Sequence, residues 1–326
     1  MKTVLKLFLV VLTCAIAGYA FSGELGDADA LYDKGQYRKA LEIYLKYPDH
    51  PGVQNNIGMI YMKPGMRNEK EALKWFHKSG AQGNTTALYH LGMAYQKGIG
   101  VNADKAMALK YYRDAADRGM PEAMNAVGLF YDNGWGIRQN EQQAAKWYQK
   151  AADHGNALGH CNLAYVLMYG KIIKHDYNKA HAVLNQCLQA NPDNACCNGR
   201  LSELYADGWG VSRDFKKAHE LRVKAAAGDD AVDMYMMGRD LDYGIGVEKD
   251  QTAALNWYQK AAAKDHAKSM YRLYEVYEYG KLGQAVDKKK AAEWRARAEK
   301  AMKEQGLSRN EWVDDFRLKM EEADKD

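Results

Sequence analysis

The sequence has no surplus of charge of one sign: 46 basic residues face 42 acidic ones, a net charge of +4. Lys2 and Lys6 lie in a leader expected to be removed, which leaves 44 against 42, or +2. A nucleic-acid-binding chain needs a concentrated basic face, so no nucleic-acid partner is expected. Beyond the first twenty residues no apolar run approaches the ~20 residues that cross a bilayer, so integral membrane insertion is not expected either. Motifs of catalysis are also lacking. None of the six serines stands in a Ser-x-x-Lys or Gly-x-Ser-x-Gly context, which a serine β-lactamase or a hydrolase elbow requires. His-Glu-x-x-His and the Asp-rich calcium loop are missing as well. The expectation is therefore no catalytic residue, no metal site and no cofactor. Cysteine is scarce, with 5 copies, and four of them fall between Cys161 and Cys197.

What is present is apolar and periodic. With 47% hydrophobic and 11% aromatic residues, the chain is too apolar for disorder. "MKTVLKLFLVVLTCAIAGYA" joins a basic start to a short apolar run from Leu7 to Ala17 and ends in the small residues a signal peptidase needs. Residues 1–20 are read as a signal peptide that directs the chain to the periplasm or the medium. Anchoring as a lipoprotein at Cys14 fits less well, because Thr13 directly precedes the cysteine.

"YQKGIGV", "YDNGWGI", "YADGWGV" and "DYGIGV" recur along the chain, with first glycines at Gly98, Gly134, Gly208 and Gly244. Gly170 and Gly280 complete the series at steps of 36, 36, 38, 36 and 36. A period of this length signals stacked supersecondary units. Each unit shows two helical patterns: "ALYHLGMAY" or "AMNAVGLFY" before the glycines, "KAMALKYYRDAADRG" or "AAKWYQKAADHG" after them. Gly92 and Gly128 admit a close neighbouring helix, Tyr111, Trp147 and Trp257 are expected to fill the core, and Gly119, Gly155 and Gly228 to stop the second helix. The Gly134-Trp135-Gly136 loop reads as a sharp turn between helices, with Trp135 and Trp209 folded over a neighbouring unit. A dinucleotide loop would need a preceding strand and a third glycine.

Ala-x-x-x-Leu-Gly-x-x-Tyr, Gly-x-Gly-Val and Lys-Ala-x-x-Trp-Tyr-x-Lys-Ala-Ala-x-x-Gly together resemble the Sel-one-like repeat, a relative of the tetratricopeptide repeat. The resemblance implies an all-α solenoid, an α-α superhelix of about seven units: 51–83, 84–119, 120–155, 156–191, 192–229, 230–265 and 266–303. Unit 156–191 replaces Gly-x-Gly by Gly170-Lys171-Ile172, and unit 51–83 has "MKPGMRN" there. Residues 21–50 resemble a tetratricopeptide-type helical pair, and 304–326 are expected to form a charged capping helix.

Cys187, Cys196 and Cys197 lie where cysteine-rich Helicobacter members of the family cross-link consecutive units. This implies a bridge from Cys187 to Cys196 or Cys197, and a second from Cys161 to whichever remains. His160, His175 and His181 read as surface or interface residues, not ligands.

The function that the resemblance implies is scaffolding or inhibition of a protein partner in the bacterial envelope. One form is an immunity protein that blocks a phospholipase toxin of type VI secretion; the alternative is a regulatory adaptor for envelope or host proteins. A remote third is β-lactam or peptidoglycan binding, as linked to the cysteine-rich members. Residues between the consensus positions of successive first helices form ladders, which nominate Tyr89, Tyr165, Arg200, Glu203, Tyr235, Arg239, Tyr271 and Arg272 as partner-binding. Tyrosine and arginine are enriched at such surfaces. On that reading, Tyr235→Ala with Arg239→Ala weakens partner binding and leaves the melting temperature unchanged.

Overall fold

The computed structural model describes residues 23–305, and all regular structure among them is helical. The expected signal peptide lies outside the described residues. So does the expected capping helix, apart from its first two residues. The chain divides into two units, Met1–Asn156 and Ala157–Asp326. Unit 1 contains α1 (23–33), α2 (Tyr37–Tyr44), α3 (Pro51–Ile60), α4 (Glu69–Ala81), α5 (Thr85–Lys97), α6 (Lys105–Asp117), α7 (Pro121–Asn133) and α8 (Glu141–Asp153). Unit 2 contains α9 (Ala157–Tyr169), α10 (Tyr177–Ala190), α11 (Ala195–Asp207), α12 (Phe215–Ala226), α13 (Ala231–Tyr243), α14 (Gln251–Ala262), α15 (Ala267–Tyr279) and α16 (Lys288–Gln305). Within each unit, helix pairs stack on one another as a solenoid-like repeat.

Local sequence dictates where these helices begin and turn. Every second helix from α4 to α14 starts behind an Asn or Asp (Asn68, Asp104, Asn140, Asp176, Asp214, Asp250) whose side chain accepts a first-turn N–H. Such a cap is worth about 1 kcal/mol. The loop before it is closed by the backbone: Asn140 N–H donates to Tyr131 O at 2.8 Å, as Asp104 does to Tyr95 and Asp250 to Leu241. Gly134 ends α7 at φ 67°, in the left-handed region. Gly136 lies so close to the start of α6 that a Cβ would stand 2.9 Å from Ala106 N. Trp135 then covers the preceding repeat, with Lys105 Nζ 5.3 Å from its ring centre. The glycines are thus structural in both respects, backbone angle and clearance.

The core repeats one device. Gly128 has no side chain because the ring of Tyr148 fills its place, 2.5 Å from where a Cβ would be. Gly92 meets Tyr112 and Gly238 meets Tyr258 in the same way. The buried rings keep their hydroxyls satisfied: Tyr112 donates to Gln96 at 2.7 Å, Tyr148 to Asp132 at 3.3 Å and Tyr258 to Asp242 at 3.1 Å.

The structure departs from two expectations. The core fillers of the second helices are Tyr112, Tyr148 and Tyr258, one residue after Tyr111, Trp147 and Trp257. In α6 the buried set is Ala108, Leu109, Tyr112, Ala115 and Ala116, a helical stripe from which position 111 is displaced to the flank. There Trp147 and Trp257 carry Lys150 and Lys260 on their faces. Gly119 and Gly155 adopt positive φ past their helices, but after α12 the left-handed residue is Asp229, at φ 69°, and not Gly228. Gly228 provides clearance instead, since a Cβ there would lie 2.1 Å from Ala195 Cβ.

Two disulfides tie both helices of the repeat with Gly170-Lys171-Ile172 to the first helix of the next repeat. Cys161 of α9 bonds Cys196 of α11, and Cys187 of α10 bonds Cys197 of α11.

Candidate partner-binding face

In unit 2 the first helices α9, α11, α13 and α15 bring most of the nominated residues into two groups. The first group centres on Arg200. Its guanidinium lies 4.8 Å from the Tyr165 ring centre and 6.0 Å from that of Tyr169, while Nη1 donates to Glu203 Oε1 at 3.1 Å. Tyr169 in turn donates its hydroxyl to Glu203 Oε2 at 2.6 Å. One helical turn separates Tyr165 from Tyr169, and their rings are 5.3 Å apart. Tyr169 meets Trp209 edge-on at 5.6 Å, and Trp209 stacks on Tyr177 at 5.0 Å. Tyr165 and Tyr169 remain 45% and 36% exposed, so a rigid aromatic surface is presented around one arginine.

The electrostatics hold this group in one state. Burial, joined by the charge of Glu203, raises the Tyr169 hydroxyl well above its ordinary range, so it stays a donor. Burial works against the charge on Arg200, but Glu203 outweighs it.

The second group centres on Arg272, which donates from Nη2 to Asp242 Oδ2 at 2.7 Å and from Nη1 to Glu275 Oε2 at 2.8 Å. Its side chain is only 12% exposed, and that of Arg239, 3.7 Å from Asp240, is 17% exposed. Tyr235 sits against Tyr258 at 5.8 Å and His266 at 5.0 Å, and Tyr271 against Tyr274 at 5.3 Å. Tyr235 and Arg239 therefore pack against their own repeats, and replacing both by alanine is expected to lower the melting temperature instead of leaving it unchanged. Tyr89 belongs to unit 1, half-buried 5.4 Å from Tyr112.

Sequence reasoning missed Tyr169, Arg222, Asp233 and Asp240, and gave Trp209 only its place over the neighbouring unit. Tyr169 was within reach as the i+4 neighbour of Tyr165. Arg222 stands in a column with Tyr112, Tyr148, Leu184 and Tyr258, and Asp240 in one with Ala94, Phe130, Val166, Leu204 and Val276. A charge in an apolar column was the signal. Among the histidines, His160 is buried in α9, His175 is exposed and His181 lies edge-on to Tyr205 at 6.0 Å. Among the described residues, no group of three or more His, Cys, Asp or Glu is placed to hold a metal, and no helix is long and apolar enough to cross a membrane.

An all-helical repeat scaffold with an aromatic and charged face is the class these features define. The Sel1 repeat profile matches residues 52–84, 85–120, 121–156, 157–182, 198–230, 231–266 and 267–300, so the chain belongs to the Sel1 repeat family. A Sel1 repeat protein from Oxalobacter formigenes has a similar structure, with a TM-score of 0.63 and 26% identity over 85% of this chain and 99% of that one. A protective antigen of uropathogenic Escherichia coli with an SLR fold gives a TM-score of 0.48 and 23% identity over 80% of this chain, which spans 64% of its length. An immunity protein from Pseudomonas aeruginosa gives 0.46 and 18% identity over 72% of this chain and 88% of that one. No curated protein matches the sequence significantly.

Proposed function

We propose that this Sel1 repeat protein is a non-catalytic scaffold of the bacterial envelope that binds a protein partner through the Tyr165, Tyr169, Arg200 and Glu203 surface of unit 2. The observation carrying this reading is that two part-exposed tyrosines are fixed by one arginine and one carboxylate. Little side-chain entropy is then lost on binding, and tyrosine and arginine are the types that dominate interface energies. Export is supported by the leader pattern and by two disulfides, which persist in oxidising compartments. The finer reading is that the partner is a secreted toxin blocked in the cell that makes it; its support is the family resemblance in the sequence.

The test is affinity capture of the mature chain, tagged at its C-terminus, from a periplasmic extract of its host. Capture of one stoichiometric lipase or other toxin supports the immunity reading, and a set of resident envelope proteins supports the adaptor. Tyr169→Ala with Arg200→Ala is expected to weaken the captured complex at least tenfold. An unchanged affinity overturns the assignment of this face.

A further inference from the structure

Two adjacent repeats of unit 2 depart from their siblings in a coordinated way. The first-helix column that carries Tyr89, Tyr235 and Tyr271 has Gly199 in α11. The column that carries Ala87, Ala123, Cys197 and Ser269, each 0% exposed, has Asp233 in α13. The two exceptions fit each other. A Cβ on Gly199 would lie 2.8 Å from Asp233 Oδ1, so the carboxylate leans over bare backbone at the register that holds Tyr89, Tyr235 and Tyr271, and Asn125 and Cys161, in the other repeats.

Charges around this recess leave one acid over. Arg200 is paired with Glu203, and Nη1 of Arg222 donates to both carboxylate oxygens of Asp240 at 2.7 Å. Asp230 caps α13, accepting the N–H groups of Val232 and Asp233. The carboxylate of Asp233 accepts no hydrogen bond and forms no ion pair among the described residues, although it is only partly open to solvent. Burial, then the nearby charges of Asp230 and Glu203, raise its pKa to about 7 against the pull of Arg200 and Arg222. A partly desolvated carboxylate with no protein donor is costly to maintain in its charged form, and a cationic donor brought in from outside offsets that cost.

We propose that Asp233, seated over Gly199 between α11 and α13, receives a lysine or arginine side chain of the protein partner. The proposal rests on the partner-binding reading above and names the chemistry that the partner brings to it. The Arg200 surface supplies aromatic contact area, and Asp233 supplies selection for a basic residue. Binding at this point is strong where the carboxyl is ionised and weakens as it takes up its proton.

The experiment titrates the full mature chain, labelled with nitrogen-15 and with carbon-13 in the aspartate carboxyls, with four capped tripeptides Ala-X-Ala in which X is Arg, Lys, Gln or Glu. Saturable shifts of the Gly199 and Asp233 amides are expected with Arg or Lys, together with a lowered Asp233 pKa, and not with Gln or Glu. The response is present at pH 8 and reduced at pH 6. Asp233→Asn is expected to weaken it at least tenfold while leaving the remaining amide spectrum in place, and Gly199→Tyr, which fills the recess, abolishes it by a separate route. No shift at these amides, equal shifts with all four peptides, or undiminished binding to Asp233→Asn overturns the proposal. Since no captured partner is used, that failure is distinct from failure of the Arg200 surface, which the capture experiment reads.

Discussion

Arg222 and Asp240 form a buried ion pair in which one guanidinium nitrogen meets both carboxylate oxygens at 2.7 Å, where another repeat packs Tyr112 edge-on to Phe130 at 5.5 Å. Both side chains are closed to solvent, at 1% and 0% exposure, and His219 Nδ1 lies 3.2 Å from Asp240 Oδ2. Arginine replaces the core tyrosine of its column, and aspartate of the next repeat replaces the apolar residue it would touch. Removing one partner leaves an unpaired buried charge, which costs about 3–5 kcal/mol, whereas replacing both by packed apolar groups is neutral or stabilising. Arg222→Ala and Asp240→Ala are each expected to lower unfolding midpoints sharply in guanidinium chloride. The double replacement Arg222→Tyr with Asp240→Phe is expected to return stability to within about 1 kcal/mol of wild type or above it. A double variant as unstable as the worse single one would show that the pair is not exchangeable with the consensus one.

Much of this fold was legible because the repeat supplies its own controls. Gly134 and Gly136 could be read as a turn from their copies at Gly98 and Gly244, and the small-residue positions Gly92 and Gly128 from theirs. The error at Tyr111 and Trp147 has a physical origin: adjacent aromatics lie about 100° apart on a helix, and the pattern alone does not say which of the two faces the preceding glycine. The candidate site was less legible. Ladders identify positions that share a face, but Arg239 and Arg272 are drawn inward by Asp240 and Asp242, acids that sequence periodicity had assigned no role.

The two disulfides close loops of unequal length, with sequence separations of 10 for Cys187–Cys197 and 35 for Cys161–Cys196. On the chain-entropy account they contribute roughly 3 and 4 kcal/mol respectively. Cys161→Ser with Cys196→Ser is therefore expected to destabilise more than Cys187→Ser with Cys197→Ser, by about 1 kcal/mol, in chemical denaturation of the oxidised variants. The reverse order would mean that native-state packing around Cys187 outweighs loop closure.

His266 gives unit 2 a defined acid sensitivity. Its Nδ1 accepts the Ser269 N–H at 3.3 Å as the cap of α15, and burial, aided by Lys268 and opposed by Asp230, pulls its pKa from 6.5 down to about 4. The folded value lies below the unfolded one, so the contribution is complete above pH 6.5 and is lost as the pH falls through about 4. His266→Asn keeps a capping oxygen without a titrating group. The variant should lose about 1–2 kcal/mol less than wild type between pH 7 and pH 4, measured by thermal unfolding across pH.

Two glycines at nearly the same backbone angle separate strain from crowding. Gly155 has φ 79° and nothing within 4 Å of its virtual Cβ, whereas Gly246 has φ 71° and a virtual Cβ 2.0 Å from Phe215 O. Gly155→Ala is expected to cost about 1 kcal/mol from the left-handed angle alone. Gly246→Ala forces the α13–α14 loop off the start of α12, and is expected to cost about 3 kcal/mol or more. Equal melting temperatures for the two variants would show that the loop moves freely away from its neighbour.

Asp233 carries the sharpest prediction because its effects on stability and on binding have opposite signs. Its pKa rises from 3.8 to about 7 on folding, so between those values the folded chain holds more protons than the unfolded one, and stability falls as the pH rises through that window. Three pKa units would correspond to ~4 kcal/mol at full burial. Water reaching a partly open carboxylate brings the expectation to roughly 1–3 kcal/mol. Asp233→Asn is expected to be more stable than wild type by that amount at pH 8, with the difference fading below about pH 4. A residue retained only for packing would not lower stability in this way at neutral pH. A variant that melts higher and binds basic peptides less would place Asp233 among positions where stability is given up for recognition. One that melts lower at pH 8 would make the carboxylate a structural acceptor and remove the reason to look for a cation there.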